Sequence, residues 1–232
     1  MSSLLEVDDI DTYYGDSHIL HGTSLHVNEG EVVSLLGRNG VGKTTTLRSI
    51  LGHTPPSSGS ISFDGNDITG EPPDRISRRG IGWVPEDRKI FPSLTVEENL
   101  ELAIRNDSVA TETAYEYFPK LDDLSNALGR QLSGGEQQML AIARGLLGDF
   151  DMLLIDEPTE GLAPLIVEDV IEALDTIRDD ITILLVEQNV EAVSEISDRI
   201  YMMTKGKVVA ETDDLQRDSD LIDRYLKVST GV

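Results

Sequence analysis

The stretch Glu31-Val32-Val33-Ser34-Leu35-Leu36-Gly37-Arg38-Asn39-Gly40-Val41-Gly42-Lys43-Thr44-Thr45 decides the fold. Its first six residues are mostly aliphatic and β-branched, the pattern of a strand buried on both faces. The next eight, Gly37 to Thr44, match the phosphate-binding loop G-x-x-x-x-G-K-[ST] in the setting that motif needs, after a strand and before a helical pattern. The glycines let backbone N–H groups turn inward around phosphate oxygens. Lys43 supplies a point charge for the β- and γ-phosphates, and the Thr44 hydroxyl is a ligand for Mg²⁺. The loop alone predicts a bound nucleoside triphosphate, with every residue from Gly37 to Thr45 in contact with it.

Outward from this loop, short apolar runs recur at Ile81 to Val84, Met152 to Ile155, Ile181 to Val186 and Ile200 to Met203. Each reads as a strand followed by a turn and a helix, which predicts an α/β domain with a mostly parallel buried sheet. Leu4 to Val7, Ile19 to Val27 and Ser60 to Phe63 alternate with polar residues and predict an antiparallel sheet beside it. The chain from about Ser93 to Gly148 has no strand pattern and opens on Thr95-Val96-Glu97-Glu98, a capping box. Helical spacing returns in Val109 to Tyr117 and after Gly135. The expected organisation is one domain over 1–232: a nucleotide-binding core of 1–92 and 149–232, and an inserted helical subdomain of 93–148. Leu221, Ile222, Tyr225 and Leu226 predict a short docked helix within Leu215 to Lys227.

Composition narrows the functions. The 232 residues carry 43 Asp+Glu against 19 Lys+Arg, a formal charge of −24. Phosphate backbones repel such a chain, so nucleic acid is not an expected partner. The acids fall in pairs along the whole sequence, as in Asp8/Asp9, Glu97/Glu98, Asp122/Asp123, Asp179/Asp180 and Asp213/Asp214. That spread suggests a solvated acidic coat suited to high salt, where the Debye length falls to about 3 Å. The absence of cysteine removes disulfides, thiol nucleophiles and thiolate metal sites. Met1 to Asp9 lacks the basic and apolar regions of a signal peptide. No apolar run approaches the roughly 18 residues of a membrane span. His18 and His21 lack the carboxylate pattern of a metal site, and Trp83 is expected in the core.

Two further stretches carry chemistry. In Met152-Leu153-Leu154-Ile155-Asp156-Glu157, Asp156 ends a buried strand beside the phosphate loop, where it can hold Mg²⁺. Glu157 follows at a position suited to orienting and deprotonating a water. In Leu132-Ser133-Gly134-Gly135-Glu136-Gln137-Gln138, Ser133 can cap a helix whose first N–H groups form an anion site. Its sequence distance from the first loop suggests that it completes the site of another subunit.

With these motifs in this order, the sequence resembles the ATP-binding subunits of ABC transporters over nearly its whole length, LSGGEQQ being the family signature. The resemblance implies a head-to-tail dimer, with ATP held between the phosphate loop of one subunit and Ser133, Gly134, Gly135 and Glu136 of the other. It also implies that Tyr14, in the Tyr-Gly pair after the first strand, stacks on adenine. Three positions depart from the family pattern. Glu86 replaces the usual Gln and offers oxygen to Mg²⁺ or water without a donor. Gln188 replaces the usual His; it can donate to a γ-phosphate and has no titratable proton. Ala163 stands where an Asp is usual.

VPE, IFPSLTVEENL, LSGGEQQMLAIARGL, EPTEGLAP and VEQN are together similar to the second ATPase of branched-chain amino-acid importers. That branch also includes urea and short-amide importers. The resemblance implies ATP and Mg²⁺ as cofactors, catalysis by Glu157, Lys43 and Gln188, and metal ligation by Thr44, Glu86 and Asp156. It further implies a homodimer or a pairing with a paralogous ATPase at the cytoplasmic face of the membrane. Two transmembrane permease subunits would dock in a groove lined by Lys89, Ile90 and Phe91, with an extracellular solute-binding protein as an indirect partner. A non-transport ABC ATPase, such as one of iron–sulfur assembly, is the alternative.

Overall fold

The structure is a computed structural model that describes residues 3–106 and 109–226. Two sheets organise it. The first is antiparallel, in the order β2-β1-β4-β5, from β1 (Ser3–Tyr14), β2 (Ser17–Asn28), β4 (Ser58–Phe63) and β5 (Asn66–Asp67). The second has the order β10-β9-β3-β8-β7-β6, from β3 (Val32–Leu36), β6 (Ile81–Val84), β7 (Met152–Asp156), β8 (Thr182–Glu187), β9 (Arg199–Thr204) and β10 (Lys207–Thr212). Five of its strands run parallel and β10 is antiparallel to β9. The predicted α/β class, with an antiparallel sheet beside a mostly parallel one, is the observed architecture.

The period-two alternation of the strands divides the core between the faces of the large sheet. Met152, Leu154, Leu184 and Val186 pack with Leu47 and Ile50 of α1 (Lys43–Ile50) and with the inner face of the antiparallel sheet. Ile76 of α2 (Pro73–Arg78) joins the α1 side, whereas Leu153, Ile155, Ile183 and Leu185 face the other way, onto a second helical layer. There α6 (Gly134–Leu146) and α7 (Pro164–Ile177) contribute Leu140, Ile142, Val170 and Leu174.

Between β6 and β7 the chain forms α3 (Val96–Glu101), α4 (Thr111–Tyr117), α5 (Pro119–Asp123), a 3₁₀ turn at Gly129–Gln131, and then α6. Thr95 and Glu98 form the expected capping box: the Glu98 N–H donates to Thr95 Oγ1 at 3.1 Å and the Thr95 N–H to Glu98 Oε2 at 2.8 Å. After β8 comes α8 (Val190–Ile196). The chain's last described helix, α9 (Ser219–Tyr225), rests Leu221, Ile222, Tyr225 and Leu226 on Leu36, Ile200 and Met202. Lys227, the expected end of that segment, lies outside the described residues.

Some expectations need correction. β1 runs on to Tyr14, because polar Asp8, Asp9 and Thr12 hide its continuation behind register shifts against β2. β9 leads through Lys205 and Gly206 into β10 and not into a helix. Trp83 is half-buried against His53, with its Nε1 lacking a hydrogen-bond partner. His18 stacks between Tyr13 and His21 and meets Asp11 Oδ1 at 2.7 Å. Among the described residues no helix is long and apolar enough to cross a membrane.

Candidate nucleotide site

β3 delivers the phosphate loop at the carboxyl edge of the sheet, the place where open α/β sheets bind ligands. Gly42 sits at φ 117° at the start of α1, where a Cβ would lie 2.9 Å from Leu20 Cδ2 and 3.0 Å from Met203 Cε. The loop rests on the β9–β10 turn: the Gly206 N–H donates to the Val41 carbonyl at 2.7 Å. No side chain caps α1 and its first turn contains no acid, which leaves its leading N–H groups available to an anion.

Lys43 is 3% exposed, and its Nζ lies 2.8 Å from Gly37 O, 3.2 Å from Arg38 O and 2.9 Å from Glu157 Oε1. Thr44 Oγ1 donates to Asp156 Oδ1 at 3.2 Å. Asp156 is buried at the end of β7. Burial, with the nearby Glu157 and Glu86 charges, pushes its carboxyl up to about 6 against the opposing pull of Thr44 and Lys43. Thr44 and Asp156 are hard oxygen donors side by side, and a divalent cation would supply the countercharge Asp156 lacks; this pair fits Mg²⁺.

Glu157 is buried and holds φ 46°, a left-handed backbone uncommon for a side-chain-bearing residue. Burial would raise its carboxyl, but hydrogen bonds from Glu160 and Lys43 outweigh it and hold the group below the ordinary carboxylate range. Glu160 carries the other half of this sharing: its hydrogen bond to Glu157, aided by burial, lifts it to about 7. Gln188 closes the site from β8, its Oε1 accepting the Asn39 N–H at 3.2 Å. The fold therefore gathers Gly37 to Thr45, Glu86, Asp156, Glu157 and Gln188 into one place.

Tyr14 stands over α1, 41% exposed, and its hydroxyl takes a bond from Thr54 Oγ1 at 3.4 Å. Burial raises its phenol, but hydrogen bonds with Thr54, Arg48 and Thr45 lower it further than burial raises it.

The signature residues lie apart, at the start of α6. Ser133 Oγ accepts the Glu136 N–H at 3.4 Å, and Glu136 Oε2 accepts the Ser133 N–H at 2.7 Å. Glu136 also faces Lys120 at 3.7 Å, so its carboxylate already serves its own helix. Gly135 has a packing role that its motif conceals, since a Cβ there would lie 2.1 Å from Ile166 Cγ2. Gly135→Ala gains about 1 kcal/mol of helix propensity and meets overpacking of about 1–3 kcal/mol. We expect a net loss of up to about 2 kcal/mol in urea unfolding, relieved in the Gly135→Ala/Ile166→Ala double variant.

Several site residues escaped sequence reading. Glu187 accepts four hydrogen bonds from two loops, and its one sequence signal is a carboxylate ending an apolar strand, as Asp156 does. Arg88, at φ 60°, joins the Glu86 loop to α6 through Gln138 Oε1 at 3.0 Å. Ile90 is half-buried against the core beneath Gly129, whereas Phe91 is 43% exposed under the Arg144 guanidinium.

A glycine loop entering a helix, a buried lysine inside it and an adjacent aspartate on the next parallel strand but one define a phosphate-loop nucleoside triphosphatase. A family model described as ABC transporter matches residues 20–160. The branched-chain amino-acid transport ATP-binding protein BraG of Pseudomonas aeruginosa is 40% identical over 212 residues, 89% of this chain and 91% of that protein. The lipopolysaccharide export ATP-binding protein LptB of Escherichia coli K12 is 36% identical over 205 residues, 85% of each. A nucleotide-free ATP-binding cassette from an ABC transporter superposes at TM-score 0.86 and 25% identity, with 100% of both chains covered. A dimeric cassette bound to ADP and Pi does so at 0.77 and 27%, covering 90% of this chain and 98% of that one. The chain belongs to the ABC transporter family, as an ATP-hydrolysing subunit.

Proposed function

We propose that this ATPase drives an importer of branched-chain or other amino acids. The observation that carries the reading is the 40% identity to BraG across nine-tenths of both chains. In the proposed site, Lys43 and the first N–H groups of α1 hold the β- and γ-phosphates, and Tyr14 stacks on the base. Thr44, Asp156 and Glu86 would hold Mg²⁺, which supplies charge neutralisation at the phosphates. Glu157 orients the attacking water, and Gln188 donates to the γ-phosphate through its amide.

Ser133, Gly134, Gly135 and Glu136 act on the nucleotide of a second chain, either an identical copy or a paralogous ATPase. The dimeric cassette bound to ADP and Pi supports that arrangement. We read 93–148 as the helical subdomain that presents this signature, within a core of 1–92 and 149–232. The acidic coat is read as an adaptation to high salt.

The permease subunits would dock at the groove between Trp83, Arg88, Lys89, Arg105, Arg144 and Phe150. Four bases converge there in a chain of charge −24, and Trp83 Nε1 and Arg144 Nε are buried without partners. Docking there sets the chain at the cytoplasmic membrane face, with the solute-binding protein acting on it only through the permeases.

Reconstitution of the chain with its two permease subunits and binding protein tests the reading. Leucine should stimulate ATP hydrolysis several-fold. Stimulation by urea or short amides alone would move the chain to that branch, and stimulation by lipopolysaccharide alone would replace import with the LptB-like role.

A further inference from the structure

Glu187 has been described as the end of β8, yet its carboxylate does more than end a strand. It is 2% exposed, and no lysine or arginine pairs with it among the described residues. Oε1 accepts both the Thr159 N–H at 2.9 Å and the Thr159 hydroxyl at 2.7 Å. Oε2 accepts the N–H groups of Gln188 at 2.8 Å and Asn189 at 3.1 Å. Its backbone carbonyl takes the Gly37 N–H at 3.1 Å. One residue thus ties together the start of the phosphate loop, the loop that carries Glu157 and the turn that carries Gln188.

We propose that Glu187 is a positioning residue for hydrolysis, fixing Glu157 and Gln188 relative to each other across the cleft between them. The proposal rests on the reading of Glu157 and Gln188 given above. Three physical arguments support it. Thr159 lies two residues beyond Glu157, whose left-handed backbone persists only where its surroundings over-determine it. The two bonds to Thr159 supply that constraint. Next, a carboxylate is acceptor-only and here meets four donors, a match no neutral side chain reproduces. A glutamine would turn its NH₂ toward two of those donors. Lastly, Asn39, Glu157 and Gln188 line a cleft of 220 Å³ whose wall includes Thr159 and Glu187 themselves. A shift of either loop changes the shape of the space in which water would meet the γ-phosphate.

The test uses the full chain in four variants: Glu187→Gln, Thr159→Val, Thr159→Ser and Glu157→Gln as reference. Glu187→Gln should lower kcat about 10- to 100-fold, the range expected for misplacing reacting groups by about 1 Å, while KM for ATP stays within about twofold. Thr159→Val, which keeps the shape and loses the hydroxyl, should lower kcat in the same sense. Thr159→Ser should restore it, because the donor returns. Wild-type kcat in both Glu187→Gln and Thr159→Val would overturn the proposal. So would KM rising as much as kcat falls, or equal losses in Thr159→Val and Thr159→Ser. If Glu187→Gln does not fold, the Val and Ser pair decides the matter alone. Full turnover in Glu157→Gln would instead overturn the underlying reading, whatever the other variants do.

Discussion

Replacing Glu157 by Gln is expected to cut ATP turnover about 10²- to 10⁴-fold, the usual contribution of a general base, while tightening the grip on ATP. The second effect follows from the pairing of Lys43 with Glu157. Lys43, 3% exposed, is paired with Glu157 at 2.9 Å, so it must leave that carboxylate before it can serve a γ-phosphate. A hydrogen bond to a charged group is worth about 1.5–3 kcal/mol. Glutamine removes most of this competition, so ATP should bind about 10- to 100-fold more tightly. The empty variant carries the cost, because a buried ammonium without its partner destabilises a fold by about 3 kcal/mol or more. MgATP should therefore raise the melting temperature further in the variant than in the parent. Lys43→Ala provides the opposite control, with nucleotide retention lost. Equilibrium binding of a fluorescent ATP analogue and single-turnover hydrolysis measure both halves. Unchanged turnover, or weaker ATP binding in Glu157→Gln, would refute the assignment.

The second large effect concerns salt. Unfolding free energy should rise by about 3 kcal/mol or more between 0.1 and 2 M KCl, a substantial share of the 5–15 kcal/mol that domains typically possess. Were every one of the 19 bases matched to an acid, a charge of −24 would still be uncompensated. Asp8, Asp9, Asp122, Asp123, Asp179, Asp180, Asp213 and Asp214 are all exposed, on widely separated parts of the fold. Folding draws such charges together, and at 0.1 M salt they act across about 10 Å. Molar KCl shortens that reach to about 3 Å, which removes most of the repulsion between non-adjacent groups while leaving the buried Lys43–Glu157 pair largely unscreened. Urea titrations at several KCl concentrations, with sucrose as an uncharged control, measure the effect. Equal midpoints in dilute and molar KCl would count against an electrostatic coat.

What could be read from the sequence was local. The phosphate loop, the strand ending in Asp156 and the capping boxes at Thr95 and Ser133 each depend on neighbours a few positions away, so their spacing announces them. Gly135 was visible only as part of a phosphate-binding motif, because Ile166, which needs its missing side chain, belongs to another helix. Glu160 looked like one more acid, and its shared hydrogen bond with Glu157 depends on a turn whose conformation no spacing specifies. Arg88 and Glu187 were hidden for the same reason. Their partners Gln138 and Thr159 lie 50 and 28 residues away. The β9–β10 hairpin was missed because a strand–helix alternation was extended one step too far past a short Lys-Gly turn.

That hairpin turn has a consequence for how the chain can be divided. Gly206 donates to the Val41 carbonyl at 2.7 Å and accepts the His21 N–H at 2.8 Å and the Thr23 hydroxyl at 2.9 Å. The Met203 carbonyl lies where a side chain on Gly37 would have to be, 2.7 Å from its Cβ position. The curvature of the nucleotide loop is therefore moulded by a stretch of polypeptide made more than 160 residues later, beyond the 20–160 segment that the family model matches. During synthesis the loop's amino acids exist long before its shape does. A ribosome-bound or truncated chain that stops short of β10 carries the motif without the mould, so competence to hold ATP arrives late, as a property of the finished fold.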